Sequence, residues 1–262
     1  MIENLISKRR EIKSKFRNKE IIFGGWVSYP EVSIAETLAN IDIDFLVIDM
    51  EHSSISLDEA KKIILTSHSK KIGCFPRPVS HSNEYTKPLL EFGSDGIFYP
   101  MVDSKEQLIN IIKNFKYPPM GNRSFGLNRA QNYGFNFEDY ISSWNDSSSL
   151  ILQIESKSGA DNIDEILSHD EVDGVMIGPY DLSGSYGYPG QLDHPEVLDA
   201  CKKILESCNR YNKSCGTQIT DISKNNILKQ INLGFNFIIL SSDLFILWKW
   251  SENMQNIIKE IK

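Results

Sequence analysis

Two acidic side chains follow two apolar runs that lie close together in the chain. The run 150–152 leads into Gln153 and Glu155, and the run 175–177 leads, through Gly178, to Asp181, with one helix-length segment between them. Acids that follow successive parallel strands lie side by side at one edge of a sheet, where ligands bind. Because carboxylates prefer hard cations, the pair predicts a site for Mg²⁺ or Mn²⁺, with positions left for water and a chelating substrate.

Further reactive side chains follow two earlier apolar strands. Asp49, Glu51 and His52 come after the first of these, and Arg77 ends the second. The planar, permanently charged arginine suits a carboxylate, and histidine exchanges a proton near neutral pH. A divalent ion chelated by a 2-oxoacid stabilises the enolate that forms when a bond beside the carbonyl breaks. The set therefore predicts aldol chemistry on pyruvate.

Each of these side chains also has a structural alternative. Acids at strand ends often cap helices, although the parallel placement of Glu155 and Asp181 favours a metal site. The corresponding alternatives are that Arg77 bridges to Glu91 and that His52 caps the next helix or satisfies a core hydrogen bond. The remaining histidines lie away from the predicted site and are expected to be structural: His68, His81, His169 and His194.

The elements that must position these residues alternate regularly between strands and helices. Eight segments read as strands: 21–28, 45–50, 73–78, 96–102, 150–152, 175–177, 214–219 and 235–242. Helical segments separate them, and an amphipathic helix over 3–19 precedes the first. This alternation predicts one (β/α)₈ barrel spanning residues 1–262, with function at the C-terminal ends of its strands. The long irregular stretch 115–140, after the fourth β/α unit, is predicted to be a loop over the active site.

Composition limits the partners and the compartment. The formal charge of -7 includes no basic stripe to neutralise phosphates, so a nucleic-acid partner is not expected. No apolar run is long enough to span a bilayer or to serve as a signal peptide. The spacing of Cys201, Cys208 and Cys215 suits packing along a helix, so the cysteines are read as reduced and the protein as cytoplasmic. Trp248 and Trp250 are expected in the core or at a subunit interface.

Nearly the whole chain resembles the HpcH/HpaI family of metal-dependent class II pyruvate aldolases, which includes 4-hydroxy-2-oxoheptanedioate and 2-keto-3-deoxy-sugar-acid aldolases. The segments that carry the resemblance occur in family order: FLVIDMEHSS, FPRPV, FYPMVDSKEQ, KYPPMGNRSFG, LQIESKSGADNIDEIL, VDGVMIGPYDLSGSYGYPG and HPEV. Several of them are long, so together they are far more specific than one short motif.

The resemblance implies roles for individual residues. Glu155 and Asp181 would bind a divalent metal, with Mg²⁺ or Mn²⁺ favoured and Co²⁺ a further candidate. Gln153 would lie beside the substrate, Arg77 would contact the oxoacid, and backbone amides around Tyr180 and Asp181 would hold its carboxylate. Asp49 would stand near a metal-bound water. His52 would be the acid/base partner, oriented through a network that includes Glu91. The family also implies a homo-oligomer, a trimer or a hexamer.

Some positions depart from the family pattern. Met50 stands where a glycine is common, Tyr180 where a small residue is common, and Glu91 where an aspartate is common; Ser80 and His81 replace a Glu-Gly pair. These changes leave the metal and pyruvate end of the site intact. They are expected to affect which aldehyde the site accepts.

The leading hypothesis is reversible cleavage of a 4-hydroxy-2-oxoacid into pyruvate and an aldehyde. Three alternatives stay open. Lys157, just past the fifth strand, suggests a Schiff base instead of a metal. An acyl-CoA lyase of the citrate-lyase β type lacks a clear basic site for the CoA phosphates. A non-catalytic oxoacid-binding homologue would keep the metal but not the chemistry.

Overall fold

The computed structural model describes residues 2–262, with side chains from residue 5 onward, and eight short, almost entirely buried strands form its centre. The strands are β1 (Ile22–Val27), β2 (Phe45–Asp49), β3 (Gly73–Arg77), β4 (Gly96–Tyr99), β5 (Ser149–Ile154), β6 (Gly174–Ile177), β7 (Ser214–Ile219) and β8 (Phe237–Leu240). Strands covered on both faces read as continuous apolar runs, which is why the sequence reveals most of them, and β7 (SCGTQI) is the more polar exception.

The strands form one parallel sheet in the order β3-β2-β1-β8-β7-β6-β5-β4. At the seam between β3 and β4, the Asp95 amide donates to the Cys74 carbonyl at 2.9 Å. The Phe75 and Phe98 rings meet there at 5.8 Å. The two outer strands of the order therefore lie side by side, and the predicted (β/α)₈ barrel is confirmed.

Helices surround the barrel. In the described part of the chain they are α1 (Ile2–Arg17), α2 (Val32–Leu38), α3 (Leu57–Ser69), α4 (Asn83–Glu91), α5 (Lys105–Phe115), α6 (Phe137–Ser147), α7 (Lys157–Asp161), α8 (Ile163–Leu167), α9 (Pro179–Ser185), α10 (Pro195–Arg210), α11 (Lys224–Leu233) and α12 (Asp243–Ile261), with a 3-10 helix at Arg129–Gly134. Helix α6 begins inside the stretch expected to be irregular. Its buried residues Tyr140 and Trp144 are four apart and face the protein, but the Gly- and Asn-rich sequence before them obscures the pattern.

Aromatic side chains fill the barrel. Phe45, Phe75, Phe98 and Phe237 pack against one another, with ring centroids 5.6–6.4 Å apart. Phe16 of α1 enters from the N-terminal ends of the strands, and its ring centroid lies 5.4 Å from that of Phe237. Helix α1 therefore closes the barrel at the N-terminal ends of the strands and leaves the C-terminal ends available for a site.

The connection between α5 and β5 contains most of the stretch expected to cover the active site. Because it leads from a helix into the next strand, it lies at the N-terminal ends of the strands. There Arg129 donates to the Phe92 carbonyl at the end of α4, at 2.7 Å. Within one chain the expectation that this stretch lies over the predicted site is therefore wrong.

Helix α12 has few neighbours among the described residues. Asp243 is its buried residue, whereas Trp248 and Trp250 are 49% and 62% exposed. The core alternative for these tryptophans is wrong, and the subunit-interface alternative stays a prediction.

The four cysteines are free thiols. Among the described residues no helix combines the length and the apolarity needed to cross a membrane.

Candidate active site

The turn after β2 is organised by the Asp49 carboxylate. Its Oδ1 accepts the backbone N–H groups of Glu51 and His52, each at 3.1 Å. Helix α3 then begins with a capping box, in which the Ser56 hydroxyl accepts the Glu59 amide and the Glu59 carboxylate accepts the Ser56 amide. Ser56 rather than His52 therefore caps this helix, so the capping alternative for His52 is wrong.

Arg77 connects β3 to its neighbours across the mouth of the barrel. Its Nη2 and Nε lie 2.8 and 3.2 Å from Asp49 Oδ1. Its Nη1 lies 3.2 Å from Glu51 Oε2 and 3.4 Å from Gln153 Oε1. The side chain is 9% exposed, so these contacts fix the guanidinium plane. Arg77 therefore pairs with Asp49 and Glu51, and the alternative pairing with Glu91 is wrong.

Trp26, near the end of β1, completes the support of Arg77 and was not identified from the sequence. The Arg77 guanidinium carbon lies 4.6 Å from the centroid of the Trp26 ring. The indole N–H donates to Asp49 Oδ2 at 3.3 Å. A cation over an aromatic face is attracted by the ring quadrupole. The signal in the sequence was a tryptophan at the C-terminal end of a strand, where barrel sites are built.

Glu155 is a buried acid held in one orientation. Its Oε1 accepts a hydrogen bond from the backbone N–H of Met101 at 2.8 Å. Its Oε2 accepts one from the side-chain amide of Gln153 at 3.2 Å. Met101 has a positive φ of 48°, an uncommon conformation that turns its N–H toward the carboxylate. A Cβ at Gly178 would lie 2.4 Å from Glu155 Oε2, so only glycine fits beside the acid. Met101 and Gly178 therefore shape the pocket around the Glu155 carboxylate.

The pKa of Glu155 is raised to about 7. Burial is the main cause, and the negative charges of Glu51 and Asp181 add to it, whereas the Met101 amide and Arg77 act in the opposite direction. Burial also raises the pKa of Glu51, with contributions from Asp49 and Asp181. We call Glu51, Glu155 and Asp181 the acid cluster. Glu51 is the member that the metal prediction did not include.

Two members of the acid cluster, Glu155 and Asp181, carry the oxygen donors that suit a hard divalent cation. In the described part of the chain no group of three or more His, Cys, Asp or Glu side chains is arranged to hold a metal ion. The oxygen donors that fit one are those of Glu155 and Asp181, whose mutual repulsion a cation would relieve. Oxygen donors without thiolate or imidazole match the chemistry of Mg²⁺ or Mn²⁺.

His52 and Tyr180 lie on the open side of the site. The His52 side chain is 65% exposed, and its Nε2 lies 3.7 Å from Glu51 Oε2. Tyr180 is 67% exposed and precedes Asp181 in the first turn of α9. Its hydroxyl would lie 3.4 Å from a Cβ placed on Gly190, so the ring runs beside the loop that follows α9. Both side chains are accessible to a substrate entering from solvent.

Glu91 lies apart from the other predicted site residues. It ends α4, which runs from the C-terminal ends of the strands back toward their N-terminal ends. Its carboxylate accepts hydrogen bonds from Arg123 at 3.0 Å and from Gln131 at 3.2 Å. Both partners belong to the connection between α5 and β5. One chain therefore does not bring Glu91 to His52.

Known proteins resemble this chain in sequence and in structure. A model of the HpcH/HpaI aldolase/citrate lyase family matches residues 23–247. The 2-keto-3-deoxy-L-rhamnonate aldolase of Escherichia coli K12 is 36% identical over 206 residues, which cover 78% of this chain and 75% of that protein. A HpcH/HpaI aldolase/citrate lyase family protein from Burkholderia cenocepacia J2315 has a TM-score of 0.88 at 24% identity, covering 95% of this chain and 99% of the other. The citrate synthase SbnG has a TM-score of 0.83 at 25% identity, covering 95% and 97%.

The family match includes every strand of the barrel from β2 to β8 and all the residues of the candidate site. The sequence relative covers most of both chains. The chain is therefore a carbon–carbon lyase that belongs to the HpcH/HpaI aldolase/citrate lyase family.

Proposed function

We propose that this protein reversibly cleaves a 4-hydroxy-2-oxoacid of the 2-keto-3-deoxy type into pyruvate and an aldehyde. The observation that carries the proposal is the buried Glu155, with its raised pKa, beside Asp181 and the fixed guanidinium of Arg77. The similarity to 2-keto-3-deoxy-L-rhamnonate aldolase supports this substrate class. We take 2-keto-3-deoxy-L-rhamnonate as the first substrate to test.

A divalent cation, Mg²⁺ or Mn²⁺ and alternatively Co²⁺, is proposed as the cofactor, held by Glu155 and Asp181. When bound, it would supply Lewis-acid stabilisation of the negative charge that develops on the 2-oxo oxygen. The raised pKa of Glu155 supports this position, because a nearby cation stabilises the ionised carboxylate.

The chain's own residues would bind the oxoacid and move one proton. Arg77 and Gln153 hold the 2-oxoacid end, and backbone amides around Tyr180 and Asp181 hold its carboxylate. His52, directly or through water, takes the proton of the C4 hydroxyl. The C4–O bond gains double-bond character, the C3–C4 bond breaks, and its electron pair passes into the enolate of pyruvate. The proton taken by His52 then returns, directly or through water, to C3. Asp49 keeps Arg77 and the His52 backbone in place.

We also propose a homo-oligomer, a trimer or hexamer, in which a second copy completes the site. Glu91 and the connection between α5 and β5 were both assigned to the site, yet in one chain both lie toward the opposite end of the barrel. They contact each other, so a neighbouring subunit would bring them to His52 together. The exposed tryptophans of α12 offer a further contact surface.

The cytoplasm is the proposed location, and no nucleic acid is proposed as a partner. The free thiols of all four cysteines support a reducing compartment. The net charge of -7 supports small-molecule substrates over phosphate backbones.

The proposal is tested by incubating the protein with 2-keto-3-deoxy-L-rhamnonate and related 2-keto-3-deoxy acids, and measuring pyruvate release. Pyruvate should appear with Mg²⁺, Mn²⁺ or Co²⁺ and should disappear after exhaustive chelation. Turnover that survives chelation would contradict the metal-dependent mechanism.

The Schiff-base alternative has its own test. Lys157 is exposed at the start of α7, with its Nζ 5.4 Å from the Tyr186 ring centroid. A Lys157→Met variant should retain activity, and borohydride added with pyruvate should leave no covalent adduct. An adduct at Lys157 detected by mass spectrometry would favour the imine mechanism instead.

A further inference from the structure

A cavity lined with cations lies near the N-terminal ends of the strands, between α1, α3 and the 3-10 helix. It consists of two adjoining recesses of about 410 and 240 Å³, which share Leu5, Leu65, His68 and Arg129 in their walls. This size is in the range of small-molecule sites. Within one chain the acid cluster lies at the opposite end of the barrel, and none of the residues named in the proposed reaction lines the cavity. We call it the basal cavity.

Arg9 is the most constrained cation of the basal cavity. It is 3% exposed, and its guanidinium carbon lies 5.1 Å from the Tyr140 ring centroid and 5.0 Å from that of Trp144. Its Nε lies 3.4 Å from Asp95 Oδ1, a long contact, and its Nη1 has no hydrogen-bond partner among the described residues. A buried donor without a partner is costly. Arg9 lines the smaller recess, so its positive charge, which the long contact with Asp95 compensates only in part, would act on an anion bound there.

Arg129 adds to the positive potential of the cavity, and His68 links it to Asp95. Arg129 Nη2 lies 3.1 Å from His68 Nδ1, and His68 Nε2 lies 3.0 Å from Asp95 Oδ2. Because arginine only donates, Nδ1 must accept, and the His68 proton is therefore on Nε2, where it is donated to Asp95. The single carboxylate Asp95 faces two permanent cations, Arg9 and Arg129, and cannot neutralise both.

The rest of the wall indicates what kind of anion fits. Lys8 and Lys71 stand in the wall of the larger recess, and Lys8 is already paired with Glu11 at 2.9 Å. Apolar side chains of Leu5, Leu65 and Ile72 line the same recess. A cationic inner end and an apolar wall together match an anionic group on an apolar body. In a chain of net charge -7 this concentration of cations is unusual.

We propose that the basal cavity binds a small organic anion, with its carboxylate or phosphate on Arg9 and Arg129 and its apolar part against Leu65 and Ile72. Calorimetric titration of the full-length protein would use phenyl phosphate, benzoate and inorganic phosphate as probes. At least one of the two organic probes, phenyl phosphate and benzoate, should bind. Phenyl phosphate should bind more tightly than inorganic phosphate, which lacks the apolar part. The comparison of the two organic probes distinguishes a phosphate from a carboxylate ligand.

Two variants assign the binding to the cavity. Arg129→Gln should weaken binding about tenfold, because it removes a charge-assisted hydrogen bond. Lys71→Glu, a surface change that spares the buried contacts, should weaken it about threefold and carries the test if Arg129→Gln does not fold. Lys202→Glu on α10, an exposed lysine elsewhere, should bind as the unchanged protein does. Equal affinity in all variants, or no binding of any probe at about 10 mM, would overturn the proposal.

Discussion

Arg77 is the residue through which most of the site is coordinated. It contacts side chains from β2 and β5 and lies over a ring from β1. These contacts depend on the planar guanidinium, whose several donors point in fixed directions. An ammonium group retains the charge but cannot make the same set of hydrogen bonds, so the geometry rather than the charge alone is expected to matter.

Replacing Arg77 with lysine should therefore raise KM for pyruvate in the synthetic direction about tenfold or more, because the directional contact with the oxoacid is lost. Steady-state kinetics at varied pyruvate concentration measure this. Arg210→Lys is the matched control, since Arg210 forms an exposed ion pair with Asp164 on the surface. An unchanged KM in Arg77→Lys would mean that Arg77 does not bind substrate.

Lys116 follows α5 and connects it with the region between α6 and β5. Its Nζ donates to the Asn145 carbonyl at 2.6 Å and to the Ser148 hydroxyl at 3.0 Å, and the side chain is 1% exposed. Burial lowers the pKa of Lys116 from 10.5 to about 7. Between these two values the unfolded chain binds a proton that the folded protein does not bind. The contribution of Lys116 to stability therefore increases as pH rises from about 7 toward 10.5.

Lys116→Met should remove this increase. Relative to the variant, the unchanged protein should gain about 2 kcal/mol in free energy of unfolding between pH 7 and pH 9. Urea unfolding at the two pH values measures the difference. Lys113→Met is the control, because Lys113 is exposed on α5. The same pH dependence in Lys116→Met and the unchanged protein would show that Lys116 is charged in the fold.

The elements differ in how readily sequence reveals them. The helix expected between the second and third strands is α3, and most of the buried strands are recognisable because each is a short apolar run. Helix α9 has a weak helical signal, because it is short and glycines follow its first turn. The composition of the stretch 115–140 suggested a loop over the active site. Within one chain this is wrong, because a connection that leads from a helix into a strand lies at the N-terminal ends of the strands.

The site was predictable to the extent that it lies at strand ends. Glu155, Asp181, Arg77 and Asp49 were identified in that way, and the structure brings the last two into direct contact. Trp26 and the role of Met101 and Gly178 beside Glu155 were missed. These depend on side-chain packing and on a positive φ, neither of which has a periodic signal in sequence.

At the scale of the whole molecule, the two ends of the barrel carry different groups. The C-terminal end holds the acid cluster, and the opposite end holds α1, the basal cavity and the Glu91–Arg123 pair. If Glu91 acts on His52, it does so from another subunit, and this arrangement has a specific consequence. Two inactive variants damaged at different ends should restore each other when they are mixed.

Glu91→Gln and Glu155→Gln should each lose most activity when assembled alone. The two variants are unfolded together and refolded as a mixture at equal concentration. An intact site needs Glu155 from its own subunit and Glu91 from the neighbour, and each is present in half of the subunits. The mixture should therefore recover about a quarter of the original activity. Pyruvate release measures the recovery, and sedimentation confirms that the mixture assembles. Absence of recovery in an assembled mixture would place Glu91 outside the neighbouring site.

The most direct test of the central claim is deuterium exchange at the methyl group of pyruvate, since it requires only the enolate and no knowledge of the aldehyde. In deuterated buffer with Mg²⁺ or Mn²⁺, mass spectrometry should show deuterium entering pyruvate in the presence of the protein. Exchange should stop after chelation and in Glu155→Gln, and it should continue in Lys157→Met. Exchange that persists without metal or without Glu155, or no exchange with any of Mg²⁺, Mn²⁺ and Co²⁺, would contradict the account.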